Sequence, residues 1–562
     1  MVSESKTRQF LIIAQDPTIK DLQGRILTTK VSVPAEKLFP GPRGYRVGVV
    51  DFDSTTGTFY EPADLNQGDN YEGSDDEVLL TDPRFHAQNV YAIVMRTLAR
   101  LEFALGRRVS WGFYGHHLHI APHAMCDANA FYSEHDHGLF FGYFPNKDDE
   151  MIFTCLSHDV IVHETAHALL DGLRDHYTDP SHSQQAAFHE GFGDLVALLS
   201  VFSLRELIEI SVEKKLNREE GVINLDAAWL RKSSLLGLAE QMGLELNPSG
   251  SRRKALRQSV ELKPDPKLLE HHQYEPHLLG EVLVAAILNG FVKVWEKRLK
   301  HFSDPIPLVR ISEEGEKAAE HLLNICIRAL DYCPPVDLDF NDYLSALLTA
   351  DFELVPDDEK YEYRKLLRDE FKKWGIKPQS KKTKEGIWEG PGKELDYDRV
   401  HFDSLQRDPD EVFRFIWENR VKLKVYEGAF TKVNWVRPCI RVGPDGFILR
   451  ETVAEYIQMI DINASDLRLI FNSKLKKPKD MDDDVKIRLY GGGTLIFDEF
   501  GRLKYHIRKR IDDTKRQQKK INYWHEEQMF DPKNRLGVKY LSSSEQFASL
   551  HRLRISGLKG GS

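Results

Sequence analysis

The amino-acid sequence predicts an α+β protein, and three observations carry that prediction. Across residues 76–375 apolar residues recur at three- and four-residue steps, the period of a helix. Residues 1–75 break into short runs separated by turn-forming residues, and strand-like alternation returns after residue 400. Between the helical and the later strand-like regions, Lys377–Asp396 ("KPQSKKTKEGIWEGPGKELD") is rich in Lys, Gly and Pro and reads as a linker. The expected organisation is an N-terminal strand-rich segment (1–75), a helix-dominated core domain (76–375), a linker (376–400) and a β-rich α/β accessory or regulatory domain (401–562).

Each element follows from its local pattern. "YRVGVVDFD" (Tyr45–Asp53) alternates as a half-buried strand does, and the acidic stretch Asp69–Glu77 reads as a solvated loop. Val90, Ile93, Val94, Leu98, Leu101 and Leu105 fall on one face of a long amphipathic helix. "NAFYSEHDHGLFFGYF" is strand-like, and helices are expected from His158 to about Gly375. "LGEVLVAAILNGFVKVW" reads as a buried helix of the core, not a membrane element, and "ICIRALDYCPPVDLDFNDYLSALLTADF" as helix, Pro-Pro turn, helix. Further on, "GPDG" marks a turn and the stretch around Asp498–Gly501 a hairpin. The basic run Leu503–Lys520, with eight Lys/Arg against two Asp, reads as a solvated helical face, with contact to an acidic partner or nucleic acid as the minority reading.

Bulk properties narrow the function. In 562 residues, a net charge of -10 gives no reason to expect nucleic acid as a partner. The first twenty residues hold only a four-residue apolar run, too short for a signal core or a membrane span. Five scattered cysteines without CxxC spacing suit buried thiols in a reducing compartment. A cytoplasmic protein without a membrane partner is expected.

"HETAH" (His163–His167) carries the chemistry. Residues four apart on a helix differ by about 40° around its axis, so both imidazoles can point at one ion. Zinc accepts three protein ligands in a catalytic site and leaves a fourth position for water. Glu164 stands where a carboxylate can take that water's proton. The pentapeptide alone fits two core histidines beside a helix-stabilising glutamate equally well. Downstream, "HEGFGD" offers Glu190 as third ligand, and Asp194 one turn later can accept the outer N–H of a ligand histidine. His189 is a rival for Glu190, but adjacent helical positions differ by about 100°, so one of the two faces the ion.

The pair HETAH…EGFGD resembles the thermolysin family of zinc metallopeptidases, and four segments in the family's order extend the likeness over about residues 75–375. The resemblance implies a thermolysin-like zincin domain binding Zn2+ through His163, His167 and Glu190, with Glu164 as general base. It places Asp171 where the family carries an aspartate, beside Asp194 as an outer-shell group. It matches "NAFY" to an edge strand whose Asn129 and Ala130 bind an extended peptide. His277 in "EPHLLGEVLVAAIL" takes the place of an oxyanion-stabilising histidine, assisted by Tyr177, whose spacing differs by one residue. The expected function is a zinc-dependent endopeptidase acting on a peptide or protein substrate. The alternative is a zinc-bound scaffold, autoinhibited or non-catalytic, that binds a protein partner through the C-terminal domain.

Overall fold

Asp82 and Pro83 start the long helix that underlies the N-terminal half of the molecule. The Asp82 side chain accepts from Arg84 N, and Pro83 sits where a helix lacks an amide partner anyway. These elements belong to a computed structural model that describes residues 6–66, 71–113, 115–147, 149–178, 181–216, 262–271, 276–302, 306–380, 383, 385–392, 394–471, 474–527 and 551. The architecture is α+β, with several sheets packed around a helical centre.

Strands β1 (Thr7–Ile13) and β2 (Thr28–Pro34) form an antiparallel pair, and β2 buries alternate residues as its sequence alternates. β3 (Val47–Val49) is shorter than expected. The stretch Tyr45–Asp53 is not one half-buried strand: β3 is buried along its whole length, and β4 (Phe52–Asp53) pairs separately with β5 (Thr58–Phe59). A five-stranded sheet runs in the order β3, β6 (Leu118–Cys126), β8 (Gly138–Pro145), β7 (Ala130–Ser133), with β9 (Met151–Phe153) also paired to β8. β7 therefore ends the sheet order. Its hairpin register with β8 sets Tyr132 against Leu139 and Ser133 against Gly138.

Helix α1 (Asp76–Thr81) precedes α2 (Pro83–Leu105), which ends at Gly106 with φ 68°, a left-handed cap that glycine adopts without strain. α2 packs against α3 (His158–Leu173), and α3 packs against α4 (Ser183–Phe202). The helix Pro276–Leu299 crosses α4 where two glycines meet, since a Cβ on Gly191 would stand 3.0 Å from the Gly280 carbonyl oxygen. Its stretch Leu278–Leu299 is long and apolar enough to cross a membrane by composition, yet most of it is buried inside the protein. Trp111, Trp295 and Trp374 are among the fully buried side chains; burial of a large apolar group stabilises by about 1.5–3 kcal/mol.

The C-terminal sheet is a four-stranded antiparallel meander of β10 (Phe430–Val442), β11 (Ile448–Asn463), β12 (Lys486–Asp498) and β13 (Leu503–Lys509). The GPDG turn joins β10 to β11, with Gly446 at φ 85°, and Gly501 at φ 74° closes the β12–β13 hairpin. Cys439, Val453, Ile496 and Tyr505 of this sheet belong to the same apolar core as the helices. The intervening stretch lies along the helix Phe340–Phe352: Gln379 N donates to Ser345 Oγ at 2.8 Å, and Trp388 Nε1 to the Tyr332 carbonyl at 2.8 Å.

Buried charge also joins the two parts. Arg107 grips Asp331 through both nitrogens (2.5 and 2.6 Å), and Arg441 bridges Asp331 to Glu451, which also accepts from Tyr332 at 2.6 Å. Arg174, just past the end of α3, pairs with Glu455 on β11. The basic run 503–520 is correspondingly not a solvated helical face. It is β13 followed by a helix (Thr514–Glu526), and Lys509 pairs with Asp342 at 2.5 Å while Arg516 and Lys520 pair with Asp337.

Burial pushes the Asp331 carboxyl up, but Arg107 and Arg441 outweigh it and hold it below the usual carboxylate range. A depressed carboxyl contributes stability at neutral pH that is lost as pH falls through that range. Replacing Asp331 by Ala leaves the Arg107 guanidinium buried without its carboxylate and is expected to cost about 3–5 kcal/mol in urea unfolding. Asp461→Ala, which removes an exposed pair with Arg488, is expected to cost at most about 1 kcal/mol.

Candidate metal centre

The HETAH segment lies on α3 with every residue from His163 to His167 buried. One helical turn separates His163 from His167, and their Nε2 atoms converge to 2.9 Å. α4 runs antiparallel beside them, so Glu190 faces both rings, with its carboxylate oxygens 3.7 Å from each Nε2. Asp194, one turn along α4, meets His163 Nδ1 at 2.9 Å. Gly193 permits that approach, because a Cβ there would stand 3.0 Å from the His163 ring.

Proton accounting shows what the cluster can hold. The Asp194 carboxylate accepts from His163 Nδ1, so Nε2, which points at His167 Nε2, is the nitrogen His163 offers a cation once the proton it carries there leaves. Two imidazole nitrogens and a carboxylate around one point form a donor set that suits a divalent cation. These buried His and Glu groups can bind a metal ion. The second helical neighbour, His189, does not compete with Glu190. It stands behind His167, with the two Nδ1 atoms 2.8 Å apart.

The electrostatics match concentrated, desolvated negative charge. Burial works against charge on His163, but Asp194, then Glu164 and Glu190, outweigh it and lift the ring to about 9. Burial lifts Glu164 to about 8, with His163 opposing. Burial, reinforced by His163, holds His167 well below the ordinary histidine value. A bound cation is the natural counterweight to carboxylates removed from water in this way.

Glu164 is fixed from the sheet side. The backbone N–H of Tyr132 on β7 donates to Glu164 Oε2 at 3.0 Å, so the edge strand lies directly against the cluster. Ala130 is buried on that strand, and Asn129 just before it is buried with its carbonyl accepting from Gly142 N at 2.8 Å. Asp171 accepts from the Tyr132 hydroxyl at 2.8 Å, holding the same strand, and is an outer support of β7. Tyr177 stands apart: its hydroxyl donates to the Pro334 carbonyl at 2.7 Å and its ring packs edge-on against Phe188. That engagement ties it to the core rather than to an oxyanion. The backbone of His277 lies in the helix Pro276–Leu299, while its side chain falls outside the described residues.

One participant has no signal in the sequence. His551 reaches the cluster from the far end of the chain, and its ligand atom lies within 4.8 Å of those of His163, His167 and Glu190. Its Nδ1 meets the Ala130 carbonyl oxygen at 2.8 Å and lies 3.6 Å from Glu164 Oε1. A carbonyl can only accept, so Nδ1 carries the proton and Nε2 turns a lone pair inward, 3.9 Å from Glu190.

No protein-family model and no curated protein matches the chain.

Asp194→Ala removes the group that fixes the His163 tautomer and is expected to weaken divalent-metal affinity about 10–100-fold, read by chelator competition. Unchanged affinity in a folded variant would assign Asp194 no part in the site.

Proposed function

We propose that the chain is a zinc-dependent endopeptidase of thermolysin-like design. The observation that carries this reading is the convergence of His163, His167 and Glu190, with Glu164 beside them and the sheet edge against Glu164. A zinc ion held by those three residues supplies a water of lowered pKa and polarises a peptide carbonyl. The protein's own groups do the rest. An extended peptide pairs with the outer edge of β7, where the Ala130 carbonyl is the acceptor nearest the cluster. Glu164 takes the proton of the attacking water and delivers it to the leaving amine, held in place by Tyr132 N. Asp194 keeps His163 in the ligand tautomer, and Asp171 anchors the strand through Tyr132. The family resemblance assigns the oxyanion role to His277, whose backbone lies near the start of the helix Pro276–Leu299. Tyr177 has no part in it.

A second reading, in which the same site is held latent, is favoured by one specific observation. His551 occupies the Ala130 carbonyl, a position the substrate backbone needs, and turns Nε2 toward the cluster where a fourth ligand stands. A histidine in that place excludes both peptide and water.

Glu164→Gln is expected to keep metal and lower peptide cleavage by about 10²–10⁴-fold, measured on a peptide library with metal content determined in parallel. Cleavage equal in wild type and variant would remove the peptidase reading. His551→Ala is expected to raise cleavage by about tenfold or more, because a tethered ligand competes at roughly millimolar effective concentration. A fall in cleavage with metal retained would instead make His551 a participant in substrate binding.

A further inference from the structure

A second cluster lies apart from this site. His86 on α2, His123 on β6 and Cys155 in the 3-10 turn Thr154–Leu156 each bring one ligand atom within 4.8 Å of the others. All three are at most 1% exposed. The outer nitrogens of both rings face groups that only accept: His86 Nε2 meets the Leu80 carbonyl at 3.1 Å, and His123 Nδ1 the Asp51 carboxylate at 2.7 Å. Both of those nitrogens therefore carry protons. His86 Nδ1 and His123 Nε2, 2.8 Å apart, are left with lone pairs directed at one another. That contact is repulsive unless a cation lies between them. The arrangement resembles the pairing of His163 and His167, whose facing nitrogens are 2.9 Å apart and of which His163 again has a carboxylate behind it.

We propose that His86 Nδ1, His123 Nε2 and Cys155 Sγ hold a zinc ion. Two imidazoles and a thiolate are a nitrogen–sulfur set that zinc accepts, and the carbonyl and carboxylate behind the rings are the outer partners that orient ligand histidines. Binding forms two Zn–N bonds and one Zn–S bond and releases the thiol proton to solvent. The bound group then carries one net positive charge, which Asp51 offsets. Phe153 packs on both rings, at 4.8 and 5.4 Å between centroids. Such an ion ties α2, β6 and the turn entering α3 together, and so fixes the floor on which the HETAH helix stands.

The rival is a proton shared between the two rings, and cobalt substitution separates them. The first cluster offers only nitrogen and oxygen donors, so a thiolate-to-Co(II) charge-transfer band in the near ultraviolet can come only from a cysteine site. The full-length chain, stripped and reloaded with Co(II), is expected to show that band. His163→Ala/His167→Ala should retain it at full intensity, and Cys155→Ser and His123→Gln should each lose it. Native mass spectrometry of the zinc-loaded wild type should give two ions per chain, which keeps the test decisive if a variant fails to fold. Absence of the band in a wild type that has taken up cobalt, or its persistence in Cys155→Ser, would overturn the proposal in favour of the shared proton. Loss of one ion in His163→Ala/His167→Ala bears on the first cluster alone.

Discussion

Glu190 and Asp194 stand on one face of α4 with their carboxylates buried against His163 and His167, and this desolvated charge is the constraint the surrounding structure answers. Removing a carboxylate from water is costly unless it is paired. Here the pairing is built into two antiparallel helices, so the helices cannot slide without uncovering charge. Gly193 lets the His163 ring close on α4, and the Gly191–Gly280 contact lets the next helix close on the other side. The same rule governs the seam with the C-terminal sheet. Asp331, Glu451 and Glu455 are all buried, and each has an arginine.

The local parts of this arrangement are legible in the sequence because helical geometry is local. Spacing of four puts His163 and His167 on one face, and the same spacing relates Glu190 to Asp194. The GPDG turn and the β12–β13 hairpin are likewise short-range patterns, whereas the edge place of β7 follows only from the family resemblance. What is not legible depends on contacts across hundreds of positions. His551 meets Ala130 across 421 residues, and no spacing rule connects them. The basic run 503–520 reads as solvated because its acidic partners, Asp337 and Asp342, lie far upstream in the chain. Tyr177 sits near the expected place in sequence, yet a carbonyl at Pro334 takes its hydroxyl. The role of His189 behind His167 follows only once the roll of the helix about its axis is known.

The sheet edge, the His/Glu cluster and His551 meet at a single place in the molecule. His551 takes the Ala130 carbonyl and joins the His163, His167 and Glu190 cluster; under the proposed peptidase reading these are the places a peptide and a water would take. Buried salt bridges join the C-terminal sheet to the helical core.

Anomalous diffraction at the zinc edge from crystals of the full-length chain tests the proposed metal site most directly. The account predicts a peak bonded to His163 Nε2, His167 Nε2 and the Glu190 carboxylate, with His551 Nε2 in the fourth position. Zinc-saturated crystals with no peak there, and with the two imidazoles simply hydrogen-bonded to each other, would contradict it.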